Sequence, residues 1–126
     1  MGLDTLASRS PDDVVLSDED TAAFEETGID LCGGMGSDGV TSIRGKVYAG
    51  LVLEATGISL YEAWLAPEDV AKLSRALDAR SAADLADLWD SIDGRGGSGH
   101  SSVETAWLRT FFDVCAERGL GLIGWW

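Results

Sequence analysis

The chain has 126 residues, 45% of them hydrophobic, enough to bury the core of a single domain without metals or disulfides. Its 16 glycines fall at punctuation points and form no repeat, which excludes collagen-like and low-complexity chains. Twenty-two acidic residues against nine basic ones give a net charge of −13, a field that repels phosphate backbones and anionic lipid and so argues against nucleic acid and membrane as partners.

Residues 1–13 mix small, polar and acidic types without a period, and the expectation is a loose acidic arm followed by one globular domain over residues 14–126. The start lacks the basic residues and apolar run of a signal peptide. No stretch approaches the roughly 20 apolar residues of a membrane span, so a cytoplasmic location is expected. Residues 12–16 allow a short strand. Ser17 with Asp20 three residues on has the spacing of a capping box and predicts a helix over residues 18–27, closed by Gly28. A second short apolar run, residues 29–32, leads into a glycine-rich loop over residues 33–39.

Residues 41–56 fit two periods. As a strand, Ile43, Val47, Ala49, Leu51 and Leu53 share a face; as a helix, Val47, Tyr48, Leu51, Val52 and Ala55 form one stripe. Thr41 or Ser42 as N-cap, the length and Gly57 at the far end favour a helix, against Gly50 in its interior and Arg44 and Lys46 at its positive end. We read it as a helix.

Ser59 and Glu62 predict a helical turn over residues 60–65, with Tyr61 and Trp64 inward. Pro67, Glu68 and Asp69 open a helix over residues 67–79 with Val70, Leu73 and Leu77 as its buried stripe. Ser81 and Asp84 open the next, whose Leu85, Leu88, Trp89 and Ile92 recur at helical spacing up to Asp93-Gly94. After a glycine-rich loop, Ser101 and Glu104 start a helix reaching Arg118. Its two adjoining apolar rows, Val103, Trp107, Phe111, Val114 and Leu108, Phe112, Cys115, place it across the core. Gly119 supplies the left-handed position after the helix, and residues 120–126 read as an apolar strand covered on both faces. The fold class expected is a helix-rich α+β domain, four to five helices around a small sheet that includes the C-terminal strand.

The order of residues 65–77, Leu-Ala-Pro-Glu-Asp-Val-Ala-Lys-Leu-Ser-Arg-Ala-Leu, and then of residues 108–123, Leu-Arg-Thr-Phe-Phe-Asp-Val-Cys-Ala-Glu-Arg-Gly-Leu-Gly-Leu-Ile, resembles the YfbM-like family of small bacterial proteins. That family shows a Pro-Glu-x-Val-Ala helix and a closing helix, glycine and apolar strand. The similarity covers at most residues 44–126. It implies a fold and carries no catalytic residues.

The chemistry-bearing residues are few. Gly34-Met-Gly36-Ser-Asp-Gly39 matches the G-x-G-x-x-G spacing in which backbone N–H groups cradle a pyrophosphate, but it stands alone and its strand is very short. His100, the only histidine, sits among serines in a glycine-rich loop; it is a weak catalytic candidate because such a loop is poor at fixing a nucleophile beside a base. Cys32 and Cys115 lack metal-ligand spacing and read as reduced structural thiols. No metal site and no cofactor is expected.

Ten acids against one base fall in residues 1–40, giving that segment a net charge of −9. The leading expectation is therefore a non-catalytic acidic binding protein that masks a basic protein partner in the manner of immunity or inhibitor proteins, with Asp12, Asp13, Asp18, Glu19, Asp20, Glu25 and Glu26 as its contact acids. The alternative is a small-molecule-binding protein or small enzyme whose pocket lies near the two glycine loops. Gly34, Gly36, Gly39, Trp64, Trp107, Trp125 and Trp126 would line it. Self-association is compatible with either.

Overall fold

A computed structural model describes residues 2–33, 37–93 and 102–126. In chain order it contains β1 (Asp4–Ser8), α1 (Asp18–Glu25), β2 (Ser42–Ile43), α2 (Gly45–Thr56), β3 (Trp64–Leu65), α3 (Pro67–Asp78), α4 (Ala82–Asp93), α5 (Ser102–Glu117) and β4 (Gly121–Trp125). The strands form one antiparallel sheet in the order β2-β1-β4-β3. The fold is the helix-rich α+β class expected, with five helices among the described residues.

The expectation of a loose arm over residues 1–13 is overturned by β1. This strand pairs along its whole length with β4, from Asp4 opposite Trp125 to Ser8 opposite Gly121, and lies at the centre of the sheet. Local composition hides it, because Asp4-Thr-Leu-Ala-Ser8 has one strong β former and its partner strand is at the other end of the chain. Leu3, Thr5 and Ala7 nevertheless alternate into the core, each almost fully buried.

Residues opposite each other across antiparallel strands point to the same side. Thr5, Ala7, Ile43, Leu65, Leu122 and Gly124 therefore share the face that the helices cover. Asp4, Leu6, Ser8, Ser42, Trp64, Gly121, Ile123 and Trp125 share the other, which carries loops in place of a helical layer. The expected two-sided cover of β4 thus fails at its end, where Trp125 is exposed.

Helix α5 runs through the core as its two apolar rows predict, packing on α1, α3 and α4; Leu108, Phe111, Phe112 and Cys115 are fully buried. Val103 departs from the pattern and is exposed in the first turn. Val70, Leu73 and Leu77 of α3 are fully buried, and Pro67 stands in its first turn. Gly119 has φ of 66°, the left-handed conformation that turns the chain from α5 into β4.

The helix reading of residues 41–56 holds from Gly45 onward. Thr41 and Ser42 do not cap it: Asp38 Oδ1 accepts from the N–H groups of Val40, Thr41 and Ser42 at 2.8, 2.8 and 3.1 Å, folding residues 38–42 into a turn that feeds β2. The expected turn of helix over residues 60–65 is likewise replaced by the extended β3. The Trp64 indole packs directly against Gly121, where a Cβ would collide with the ring. The short strand expected over residues 12–16 is a loop.

Candidate functional site

The chain from β1 to α1 is closed at its neck by the buried Ser8 hydroxyl, which lies 2.9 Å from the carbonyls of Ser10 and Asp13 and from the N–H of Val15. Arg9 N–H donates to the Val15 carbonyl at 2.9 Å. This closure holds Pro11, Asp12, Asp13 and Val14 beside the helix-free face of the sheet. With Ala63, Ile123, Gly124 and Trp125 they enclose a cleft of about 280 Å³.

Trp125 also borders a second cleft, of about 370 Å³, with Gly2, Asp4, Arg44 and Trp126. Trp125 is thus common to two hollows at the end of the sheet. Trp125 is 66% exposed and Trp126 56%, and the Tyr61 ring meets Trp126 edge-on with centroids 5.8 Å apart. Tyr61 is 44% exposed, which corrects its expected inward packing, and Val14 beside Asp13 is 46% exposed.

Of the tryptophans named for a ligand pocket, Trp125 and Trp126 share the cleft of about 370 Å³, and Trp64 and Trp107 stand apart from it. Trp64 is occupied over Gly121 and Trp107 packs half-buried against the core, so neither lines the clefts beside Trp125. Gly39 is buried with φ of 81° and hydrogen-bonds to Ser42 and Leu31 through its own backbone, a turn role. Gly34, Gly36 and His100 lie outside the described residues. Among the described residues no three His, Cys, Asp or Glu side chains gather as metal ligands, and both cysteines are free thiols. Burial pushes the Cys115 thiol far up, so it is not a thiolate nucleophile.

Of the seven acids named as partner contacts, six are exposed: Asp12, Asp13, Asp18, Glu19, Glu25 and Glu26. Asp20 is the correction. It is fully buried, with Arg9 Nη2 at 2.6 Å and Arg118 Nε at 2.7 Å from its Oδ1, and Arg9 Nε at 2.7 Å from Oδ2. It also completes the capping box of α1, receiving the Ser17 N–H at 3.1 Å while Ser17 Oγ accepts the Asp20 N–H at 3.0 Å. The pairing with Arg9 leads in holding the Asp20 carboxyl well below the usual carboxylate range, and Arg118 and Ser17 add to it against the opposing effect of burial.

A second acidic feature has no period or motif in the sequence. Asp113 of α5 accepts the Ser74 hydroxyl at 2.6 Å and lies against Asp78 of α3, which Arg109 approaches at 3.5 Å. Burial, then the neighbouring Asp78 carboxyl, pushes Asp113 up to about 6. Neither acid borders a cleft beside Trp125, so the pair stands as an internal helix-to-helix contact.

No protein-family model, no curated protein and no solved structure matches this chain. Among the described residues no helix is long and apolar enough to cross a membrane.

Proposed function

We propose that the protein is a non-catalytic binder that masks a basic protein partner, using the Trp125 end of the sheet as the centre of its contact and the acids of residues 1–40 as its electrostatic guide. The observation that carries this reading is the exposure of two adjacent tryptophans on a chain of net charge −13. Large aromatics in a polar surround are the residues that dominate protein interfaces, and the acids favour encounter with positive surfaces. The likeness of residues 44–126 to the YfbM-like family concerns the fold and adds no activity to this proposal.

Capture from host lysate at low salt, comparing the wild-type chain with a Trp125→Ala/Trp126→Ala variant, tests it. A basic protein is expected on the wild type, eluting as salt rises and missing from the variant. Retention of the same proteins by both chains, or capture of no basic protein, overturns the reading.

A further inference from the structure

The two hollows that share Trp125 differ in charge. The one toward Trp126 contains Arg44 beside Asp4, whereas the one toward residues 11–14 has two acids, Asp12 and Asp13, and no base in its lining. The single base of residues 1–40, Arg9, is drawn away from it into the Asp20 pair. The remaining lining, Pro11, Val14, Ala63, Ile123, Gly124 and the Trp125 indole, is apolar.

We propose that this cleft seats one lysine or arginine side chain of the basic partner. It rests on the reading of the sheet end as the docking surface and names what that surface recognises. A long cationic side chain has a methylene stem that matches the apolar floor over Ile123 and Ala63, and a charged head that reaches the rim. The exposed indole face supplies a cation–π contact and the two carboxylates supply the counter-charge. A neutral apolar side chain would fill the same floor but strip water from Asp12 and Asp13 without replacing it, and an acidic one would be repelled. The Ser8 closure fixes the loop before binding, so little ordering is lost on contact.

Acetylated, amidated pentapeptides with a central lysine, arginine, norleucine or glutamate between glycines are the probes, followed by 1H–15N NMR on the full chain. Lysine and arginine peptides are expected to shift the Trp125 indole N–H and the Asp13, Val14 and Gly124 amides with saturation, and norleucine to bind roughly fivefold more weakly. Glutamate should give no shifts. Asp12→Asn/Asp13→Asn should weaken the lysine peptide toward, but not below, the norleucine level, because the indole contact remains, and Trp125→Ala should abolish the effect while its amide spectrum remains dispersed. Equal shifts from lysine and norleucine, or shifts that spare these residues, overturn the proposal.

The outcome is separable from that of the wider reading. If the peptides fail but partner capture still requires Trp125, docking stands and the cation seat falls. If the lysine peptide binds and capture is indifferent to Trp125, the seat exists and the masking role falls.

Discussion

Arg118 donates from Nε to Asp20 Oδ1 at 2.7 Å across a sequence separation of 98 residues, tying the start of α1 to the end of α5. Arg9 closes on the same carboxylate from the loop that follows β1. An acid that sequence alone assigns to a partner therefore works inside the fold. Asp20→Ala should lower stability by roughly 2–4 kcal/mol, by loss of a helix cap and of charged hydrogen bonds. The folded pKa is depressed, so this contribution is present above the ordinary value of 3.8 and disappears as pH falls below it. Urea unfolding should show the wild type losing its advantage over Asp20→Ala between neutral pH and about pH 2.

Removal of residues 1–11 should abolish cooperative unfolding. It takes away β1, both of whose edges are paired in the sheet, and strips Leu122 and Ile43 of their cross-strand partners Ala7 and Thr5. A sharp thermal transition by circular dichroism in the truncated chain would contradict the central position of β1.

The carboxyl of Asp113 moves stability the other way. Its folded pKa of about 6 lies above the ordinary 3.8, so the folded state holds a proton that the unfolded chain releases, and stability falls as pH rises through that window. Asp113→Asn keeps an acceptor for Ser74 and removes the charge next to Asp78. The variant should match the wild type near pH 4 and gain about 1–2 kcal/mol on it by pH 7, a figure reduced for partial exposure. Chemical denaturation across that range reads the difference directly, and parallel pH profiles would refute it.

What could be read from the sequence was whatever depends on neighbours along the chain. The capping box at Ser17 and Asp20, the stripe Val70, Leu73, Leu77 and the left-handed Gly119 are local and stand where the spacing puts them. The pairing of β1 with β4 and the two arginines on Asp20 join distant segments, and no period reports them. At the candidate site the paired tryptophans were visible, but their exposure was not, because an uncharged run reads as core until the sheet shows which side the helices cover. The turn made by Asp38 explains the one boundary error in α2: Thr41 and Ser42 have the chemistry of caps and spend it on that carboxylate instead.

Tyr48 offers the sharpest test of the core between α2 and α5. Its ring is fully buried, tilted against Trp89 with centroids 5.4 Å apart, and its hydroxyl donates to Glu104 Oε2 at 2.7 Å while accepting the Cys32 N–H at 2.7 Å. Burial leads in pushing the phenol far above its ordinary range, and the Glu104 carboxylate adds to it, so the group is a neutral donor at neutral pH. Tyr48→Phe keeps the ring packing but leaves a backbone donor and a carboxylate without this partner, a loss of about 1–3 kcal/mol. Tyr48→Phe combined with Glu104→Ala should cost less than the sum of the two single changes, because each removes the same contact. Strict additivity in a double-mutant cycle would show that the hydroxyl and the carboxylate do not meet in solution.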